Sequence, residues 1–263
     1  MNYDKVGVDI NGLHTSSFSN VYSDEFDSVT LDSKWSWINE SSNYWSLSDN
    51  PGHLRLNTLY GEMSFGYTSY QNLLVQNAPS GDYEVILYIS NIHNPYSSIP
   101  SFWGFRFRLL ILQDHDNYVG IDFRDNYTAT GLTTWFYSEI DDVTDIHVGQ
   151  DYQDISYGYL KIKKEGNNYS GSFSSNGITW TAHTTIATIN LNNPKIGILF
   201  GNGIGTPSSG HTDIYADIDY LHVDTSDNNG EQPIPGYNLY ALIGILSIVA
   251  IIITSKIKKS GRC

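Results

Sequence analysis

The sequence predicts an all-β protein, a two-sheet antiparallel jelly-roll sandwich followed by one C-terminal transmembrane helix. Three observations predict this fold class. Short runs of alternating apolar and polar residues recur from about Val21 to Val223, which is the period-2 pattern of half-buried strands. No segment of that region has the periodicity of an amphipathic helix. A single uncharged apolar run stands apart at residues 239–255.

Turn residues separate the strand runs where hairpins need them. The segment 174–177 contains an Asn-Gly pair that tolerates positive φ at both central positions, so it predicts a hairpin between a strand around Phe173 and one at 178–180. The segment 113–117 joins two other runs. The long predicted strands are 53–57, 82–90, 102–112, 118–124, 132–137, 157–163, 169–173, 195–200 and 213–223.

Length and composition fit one acidic domain. The 263 residues include 20 Tyr, 10 Phe and 6 Trp, and all-β sandwiches often exceed about 200 residues as single units. Four of the 14 basic residues lie in the last eight positions, so the rest of the chain carries 10 basic against 28 acidic residues. Because phosphate contacts need a basic surface, we expect no nucleic-acid partner. The only cysteine is Cys263, which excludes an intrachain disulfide.

The C-terminal run predicts a membrane anchor. Ten of the 17 residues in 239–255 are Leu, Ile or Val, and a helix of this length covers about 25 Å. Tyr237 and Tyr240 at one end and lysines at the other complete a span of about 30 Å. A buried core helix is the alternative, but no other predicted helix would pack around it. The positive-inside rule places the basic end in the cytoplasm and the sandwich outside the cell, at the cell membrane.

The predicted organisation follows from these segments. Three N-glycosylation sequons, at Asn39, Asn126 and Asn168, agree with export. Residues 1–20 lack the apolar core of a signal peptide, so either an export signal lies upstream or the helix itself is the targeting signal. In chain order we expect an N-terminal segment at 1–20, the sandwich at 21–225, a flexible stalk at 226–236, the transmembrane helix at 237–255 and a basic cytoplasmic tail at 256–263.

Several segments carry a family resemblance that covers roughly residues 21–223. The sequences YSDEFD, LDSKW, WINE, WSL and PGHLRL, which lie between residues 22 and 56, resemble the opening of the concanavalin A-like domain at the C-terminus of family 43 β-xylosidases. The hairpin 175–180 resembles that family's S-x-D-G-x-x-W motif, with Asn176 where Asp is usual. The resemblance implies a concanavalin A-like sandwich. It also implies an accessory or binding role, because those enzymes hydrolyse xylosides with a separate propeller domain.

A second resemblance lies at the C-terminus. The order of IPGYN at 234–238, an apolar helix and a basic end is similar to the tripartite sorting signals of archaeal surface proteins, particularly those of Asgard archaea. This resemblance implies that a sortase-like membrane protease cuts near Pro235 and Gly236. A plain helix boundary explains the same two residues equally well, because proline and glycine both stop a helix.

Catalysis by a glycosidase needs two carboxylates about 5 to 9.5 Å apart. The best local candidates are Glu139 and Asp141, which would point to the same face if both lay in one strand. Concanavalin-like glucanases add a second Glu on that face, and the run here continues to Asp145 without one. A solvated acidic loop is the alternative interpretation, so we expect no enzyme activity.

Sugar binding commonly uses an aromatic ring against the apolar face of a pyranose. The alternative for any one of these rings is burial in the core, since sandwiches bury aromatic residues, and an exposed rim is expected at 91–101. The candidate carbohydrate-binding residues are Trp35, Trp37, Trp45, Tyr96, Trp103 and Trp135.

A single structural Ca²⁺ is the one cofactor that the sequence suggests. Concanavalin A-like domains often hold such an ion, and Asp24 and Asp219 would meet if the first and last strands pair. Four histidines, His115, His147, His183 and His211, have no zinc-ligand spacing and are interpreted as surface residues.

Three functions stay open at this point. The first is a membrane-anchored module that binds glycans or neighbouring surface polymers without catalysis. The second is a structural or adhesive component of the cell envelope with no small-ligand site, and the third is a glycoside hydrolase. An exposed groove lined by two or more aromatic rings would favour the first, and two facing carboxylates in that groove would favour the third.

Overall fold

The computed structural model describes residues 21–61, 63–64, 67–95, 105–125, 132–151, 156–202 and 211–225. Nearly all regular structure in these residues is β, with one 3-10 turn at Ser42–Tyr44. The strands are β1 (Ser36–Ile38), β2 (Trp45–Ser46), β3 (Leu54–Asn57), β4 (Leu59–Tyr60), β5 (Met63–Ser64), β6 (Tyr67–Thr68), β7 (Leu73–Asn77), β8 (Tyr83–His93), β9 (Phe105–Leu112), β10 (Tyr118–Asp125), β11 (Leu132–Ile140), β12 (Val143–Asp151), β13 (Gly158–Glu165), β14 (Asn168–Ser174), β15 (Thr181–Thr188), β16 (Lys195–Asn202) and β17 (Tyr215–Thr225).

The strands form two large sheets that pack face to face. The larger sheet has the order β1-β7-β16-β9-β10-β11-β12, and β4 adds a short parallel pairing to β16. The smaller sheet has the order β15-β14-β13-β8-β17-β3-β2. Strands distant in sequence are neighbours in both sheets, so the chain crosses repeatedly between them. The predicted all-β, two-sheet antiparallel sandwich is confirmed.

Alternation along each strand builds the core between the sheets. On β8, Val85, Leu87 and Ile89 are fully buried, whereas the residues between them are half-buried. The facing strand β9 contributes Phe105 and Phe107 to the same cluster. Each such side chain stabilises the fold by about 1.5–3 kcal/mol relative to an exposed one. A period of two therefore leaves every second side chain on an outer face.

The first and last segments of the sandwich are joined. Asp24 and Leu221 form an antiparallel bridge in which each backbone N–H donates to the other carbonyl, at 2.9 and 2.8 Å. Arg55 on β3 donates two hydrogen bonds to Asp217 on β17, at 2.7 and 2.9 Å, and Asp217 is only 2% exposed. This charge-assisted, two-bond geometry fixes the register of β3 against β17.

Two parts of the predicted strand pattern are wrong. The segment 178–180 is not a strand, because Asn176 Oδ1 accepts hydrogen bonds from the N–H groups of Ile178 and Thr179 and holds the chain in a longer loop before β15. Only Gly177 of the Asn-Gly pair has positive φ, at +69°. The acidic segment after Ile140 was not predicted as a strand, yet it continues into β12.

The chain divides into two compact units, residues 1–225 and 226–263. The first contains the sandwich. The N-terminal segment 1–20, the stalk 226–236, the transmembrane helix 237–255 and the basic tail 256–263 all lie outside the described residues. No helix within the described part of the chain is long and apolar enough to cross a membrane.

His183 on β15 is a core residue, so its interpretation as a surface residue is wrong. Its side chain packs beside the rings of Phe136 and Phe173, with centroids 6.0 and 5.6 Å away. It is 4% exposed, and neither ring nitrogen has a hydrogen-bond partner among the described residues. Burial lowers the pKa of His183 from 6.5 to about 4, because the charged imidazolium loses its hydration there.

This histidine makes the fold sensitive to acid. Between pH 6.5 and about 4 the unfolded chain binds a proton at His183 that the folded chain does not. Replacing His183 by Phe keeps an aromatic ring in the same packing and removes the titration. The free energy of unfolding of the unmodified protein should fall between pH 7.5 and pH 4.5 because of this group. We expect that fall to be smaller in His183→Phe by on the order of 2 kcal/mol.

Urea denaturation at the two pH values measures this difference. The control is His115→Asn, which removes an exposed imidazole that contacts Asp116 at 2.9 Å at the surface, where ion pairs contribute less than about 1 kcal/mol. An equal pH dependence in His183→Phe and the unmodified protein would contradict the assignment.

Candidate functional site

The outer face of the larger sheet carries a cluster of charged and aromatic side chains. It lies across β9, β10, β11 and β12, on the side of the sheet that faces away from the core. The side chains surround a narrow cleft that is almost filled, with about 10 Å³ of space for water. We name it the arginine cleft, defined by Arg106, Arg108, Arg124, Tyr137, Glu139 and His147, which line it, and by Trp135, which lies beside it against Arg124.

Strand register explains why these residues meet. In the pairing of β9 with β10, Arg106 lies directly opposite Arg124, and Arg108 lies directly opposite Asp122. In the pairing of β10 with β11, Asp122 lies opposite Trp135. The side chains at all these positions point away from the core, because they occupy alternate positions along their strands. Their neighbours in sequence, such as Phe107, face inward.

A buried ion pair lies beside the cleft. Arg124 donates to both carboxylate oxygens of Asp122, at 3.0 Å from Nε and 2.7 Å from Nη2. The Asp122 side chain is 0% exposed and that of Arg124 is 14% exposed. The two residues are two apart on one strand, so both side chains leave the same face of the sheet.

A short hairpin closes one end of the face. The Met63 carbonyl on β5 accepts a hydrogen bond from Arg108 Nη1 at 2.9 Å. The Tyr118 hydroxyl lies 3.1 Å from the same carbonyl and donates to Glu139 Oε2 at 2.9 Å. Burial raises the pKa of Tyr118, so its hydroxyl stays protonated and can donate. The hairpin therefore covers Glu139, which is 2% exposed.

Trp135 lies flat on the sheet beside the ion pair. A Cβ on the cross-strand residue Gly149 would come within 2.6 Å of the indole, so only glycine permits this position. The indole Nε1 donates to Thr133 Oγ1 at 3.0 Å, which fixes the ring in its plane. The guanidinium of Arg124 lies 4.7 Å from the ring centroid. The ring is held in place yet half-exposed.

His147 and Tyr137 complete the wall of the cleft. The pKa of His147 is lowered, first by partial removal from water and then by the positive charges of Arg124 and Arg106. Arg124 Nη1 lies 3.4 Å from His147 Nε2, which accepts when the ring is neutral. The Tyr137 side chain is 6% exposed, and its hydroxyl has no hydrogen-bond partner among the described residues.

The structure does not gather the predicted aromatic residues into one site. Trp35 is 6% exposed, packs beside Phe26 in the core, and donates from Nε1 to Asp24 at 2.8 Å. Trp37 and Trp45 contact each other, with ring centroids 5.0 Å apart. Tyr96 and Trp103 lie outside the described residues.

Of the predicted aromatic residues that the structure describes, Trp135 alone lies in the arginine cleft. Trp37 lies on β1, at the opposite edge of the larger sheet from β12. Its strand is five positions away from β11, which is about 24 Å at about 4.8 Å per strand.

The proposed carboxylate pair does not form. Glu139 lies within β11, but Asp141 and Asp142 form the turn to β12, with φ values of 50° and 63°. The prediction that Glu139 and Asp141 share a strand face is therefore wrong, because the strand ends at Ile140. Asp141 and Asp142 are exposed, as in the alternative interpretation of an acidic loop.

The calcium prediction is not tested. The first and last segments do pair, but Asp24 lies opposite Leu221, and its carboxylate accepts from Phe26 N at 2.9 Å and lies 3.3 Å from Lys34 Nζ. Asp219 has a 41% exposed side chain 4.0 Å from His53. No group of three or more His, Cys, Asp or Glu in the described ranges is arranged to hold a metal ion.

The sequon asparagines fall in different settings. Asn39 and Asn168 are exposed, and each makes one side-chain hydrogen bond, Asn39 Nδ2 to the Tyr70 carbonyl and Asn168 Oδ1 from the Thr188 hydroxyl. Asn126 lies outside the described residues, as do Pro235 and Gly236 of the sorting motif. Glycosylation and sorting stay predictions.

A second aromatic cluster lies on the outer face of the smaller sheet. Tyr88 and Tyr159 are cross-strand neighbours whose rings stack at 4.2 Å with an interplanar angle of 11°, and Tyr220 lies 5.4 Å from Tyr88. Because these rings stack on one another, their faces are already occupied. Trp180 has Lys161 Nζ 4.0 Å from its centroid, much as Trp135 has the Arg124 guanidinium at 4.7 Å and the His147 ring at 4.4 Å. The arginine cleft is the better candidate site because its indole lies beside a buried ion pair, Asp122 with Arg124.

Comparisons with known proteins agree with this fold. Residues 23–92 match the family model of the β-xylosidase C-terminal concanavalin A-like domain, which supports the predicted resemblance for that part of the chain. No curated protein sequence is similar enough to be recognised as a relative.

Similar solved structures carry the same architecture. The GH43 protein BlXynB from Bacillus licheniformis matches with a TM-score of 0.62 and 18% identity, over 80% of this chain and 40% of that one. The Bacteroides ovatus Xyloglucan PUL GH43B matches with a TM-score of 0.60 and 16% identity, over 77% and 38%. This chain thus spans about two fifths of the length of those proteins. The Bacillus licheniformis β-glucanase matches at 0.52 and 14% identity, over 78% of this chain and 97% of that one. At these identities the likeness shows a concanavalin A-like fold.

The arginines were missed by sequence reasoning, although a signal for them exists. The run Phe105-Arg106-Phe107-Arg108 alternates strictly, so it predicts that both arginines leave the same face of one strand. Arg124 on the next strand run has no such signal, because its proximity depends on the pairing register.

The buried ion pair allows a stability test. We expect Arg124→Gln to lower the free energy of unfolding by about 3–5 kcal/mol, because it leaves the Asp122 carboxylate buried without its cation. The double variant Asp122→Asn with Arg124→Gln removes both charges and should regain a large part of this loss. Chemical denaturation measures all three proteins.

A matched control exists on the other sheet. Lys163 and Glu165 are also two residues apart on one strand and 2.7 Å apart, but their side chains are 48% and 64% exposed. Lys163→Gln should cost less than about 1 kcal/mol. Equal losses for the buried and exposed pairs would show that burial does not determine the contribution of the Arg124 pair.

Proposed function

We propose that this chain is a non-catalytic carbohydrate-binding module that a C-terminal helix holds on the outer surface of a membrane. The partly exposed Trp135 ring beside the arginine cleft is the binding site. The concanavalin A-like fold and the match to a β-xylosidase accessory domain support a carbohydrate ligand. The cleft itself supplies the chemistry, with an aromatic ring and several hydrogen-bonding side chains.

The position of Trp135 is the observation that carries this proposal. Sugar rings stack on indole faces, and a ring that is already fixed loses little conformational entropy on binding. Gly149 beneath the indole and the hydrogen bond to Thr133 hold this ring in place. Arg124, Tyr137 and His147 surround it with groups that bind hydroxyl or carboxylate oxygens.

Carboxylate geometry supports a non-catalytic role. Among the described residues, Asp122 and Glu139 are the buried carboxylates on this face, and Glu139 lies opposite Tyr118 in the strand pairing. Asp122 is four residues from Tyr118, so the two backbone positions are about 13 Å apart along the strands. The carboxyl groups of a glycosidase flank one bond at about 5 to 9.5 Å. Asp122 is also fully engaged by Arg124.

Membrane attachment rests on the sequence. The uncharged run 239–255 is long and apolar enough to insert, and four cations follow it. A protease that recognises Pro235 and Gly236 would release this helix and leave the sandwich on another surface anchor. In both cases the sandwich faces outward, where glycans are present.

The role of the indole can be tested directly. We expect Trp135→Ala to weaken glycan binding by about tenfold or more, since a loss of about 1.4 kcal/mol of stacking corresponds to a factor of ten. A glycan array screened with the full chain identifies ligands, and calorimetry with the best ligand gives the affinity. Trp180→Ala is the control, because it removes a half-exposed indole from the other sheet. An unchanged affinity in Trp135→Ala would place the binding site elsewhere.

Catalysis has its own test. We expect the purified protein to release no reducing sugar from xylo-oligosaccharides or β-glucans, because Arg124 engages both oxygens of Asp122 and the backbone of Asp122 lies about 13 Å along the strands from that of Glu139. A reducing-sugar assay measures this, with an active xylosidase as positive control. Turnover that disappears in Glu139→Gln would overturn the non-catalytic assignment.

A further inference from the structure

We propose that Tyr88 and Tyr159 are a site of oxidative cross-linking, at which a peroxide-dependent one-electron oxidant joins the two rings as dityrosine. The pair lies on the outer face of the smaller sheet, whereas Trp135 belongs to the larger sheet. The inference is therefore independent of the proposed glycan binding. It follows from strand register, from ring geometry and from a sequence that allows no intrachain disulfide.

Strand register holds three tyrosines in one row. Tyr88 on β8 lies directly opposite Tyr159 on β13 and directly opposite Tyr220 on β17. Strand β8 is hydrogen-bonded to both of these strands, so the backbone ladder fixes the spacing of the row. The Tyr88 ring leaves the outer face, because its neighbours Leu87 and Ile89 are fully buried in the core.

The rings of Tyr88 and Tyr159 are in contact. Their centroids are 4.2 Å apart and their planes differ by 11°. Tyr220 is farther away, 5.4 Å from Tyr88 and 6.5 Å from Tyr159, and its ring is tilted to both. Burial, and then the neighbouring Tyr88 hydroxyl, raise the pKa of Tyr159 to about 12, so the two hydroxyls lie close together as well. The carbons of a phenol that couple are those next to the C–O bond, and close hydroxyls bring these carbons close too.

A loop that packs on Tyr159 restricts the movement of its ring. A Cβ on Gly177, whose φ is +69°, would come 3.1 Å from Tyr159 Cε1, so the loop backbone lies directly against the ring. Trp180 lies edge-on to the same ring, with centroids 6.3 Å apart. These contacts keep an oxidised Tyr159 next to Tyr88.

Exposure makes the pair reachable by an oxidant. Tyr88 and Tyr159 are both half-buried, so part of each ring is in contact with water. The tyrosine pair on the larger sheet differs, because Tyr118 and Tyr137 meet edge-on at 6.0 Å and are 0% and 6% exposed. The stacked pair on the smaller sheet therefore combines contact between rings with access from solvent.

The chemistry requires two one-electron oxidations. Each phenol loses its hydroxyl hydrogen, as a proton and an electron, and becomes a radical whose unpaired electron is shared with the ring carbons beside the C–O bond. The two radicals form one Cε–Cε bond, and the hydrogen on each joined carbon then moves to oxygen and restores the phenol. Two C–H bonds break and one C–C bond forms, while one hydrogen peroxide takes up two hydrogens and becomes two waters. Because the rings are already neighbours, coupling within one chain is faster than encounters between chains.

Such a bond would act on stability as a disulfide does. It joins β8 to β13 and closes the loop from position 88 to position 159 in the unfolded chain, which lowers the entropy of that state. Cys263 is the only cysteine, so the chain has no disulfide of its own to do this. We expect the cross-linked protein to melt at least about 5 °C above the untreated protein.

Treatment of the full chain in detergent with hydrogen peroxide and a haem peroxidase tests the pair. We expect dityrosine fluorescence in the monomer band, and tandem mass spectrometry of a digest should find the peptides of Tyr88 and Tyr159 joined and lighter by two hydrogen atoms. Tyr88→Phe and Tyr159→Phe each keep a ring and should lower this fluorescence by about tenfold or more, because adjacent rings couple most efficiently. Tyr60→Phe is the control and should change nothing, because Tyr60 is 44% exposed but lies outside the row.

Four results would contradict the proposal. Equal fluorescence in Tyr159→Phe and the unmodified protein, or a different joined pair in the mass spectra, would place the cross-link elsewhere. Dityrosine in dimer bands alone would show that the rings do not couple within one chain. Oxygen added to Trp180 without dityrosine would show that the indole is oxidised in place of the pair. An unchanged melting temperature of the cross-linked protein would overturn its stabilising role. Mass mapping uses the unmodified protein, so a variant that fails to fold leaves the test intact.

Discussion

The two sheets pack with their inner faces against each other, and the rest of the structure depends on this constraint. Burial of the inner side chains supplies the stabilisation, and the pleat sends each intervening residue to an outer face. No disulfide assists, because Cys263 is the only cysteine. Burial must therefore stabilise the domain, mostly between the sheets and in a smaller apolar cluster that includes Leu110, Leu112 and Tyr118 on the outer face of the larger sheet.

Most outer positions of such a sandwich need only be compatible with water, but the arginine cleft is different. Asp122 and Glu139 are buried on this face, and burying a carboxylate is costly unless it is paired. Arg124 pairs with the first and Tyr118 donates to Oε2 of the second. The bidentate contact holds the Arg124 guanidinium in one position, 4.7 Å from the Trp135 ring centroid.

Much of the fold was accessible from local patterns. The runs around β8, β10, β13 and β17 alternate cleanly, and their strands appear where the pattern predicts them. The predicted strands and turns were wrong where side-chain contacts override the local backbone preference. Asn176 binds two backbone N–H groups and extends a loop that its Asn-Gly pair suggested would be short. Asp141 takes positive φ and ends a strand face that spacing alone would continue. His183 is buried because it packs beside Phe136 and Phe173, which are not its neighbours in sequence. Its local sequence therefore could not predict its burial.

The sequence by itself determined that this chain is a β-sandwich with an acidic surface, because alternation and composition act residue by residue. It also determined which residue types are present to bind a sugar. Only the tertiary structure decided which of them act together. Six aromatic residues were candidates, and Trp35 became core while Trp37 and Trp135 came to lie five strand positions apart in one sheet. Strand order and register set these distances, and both arise from pairings between segments far apart in the chain, such as β16 between β7 and β9. Arg106 and Arg124 meet for that reason alone.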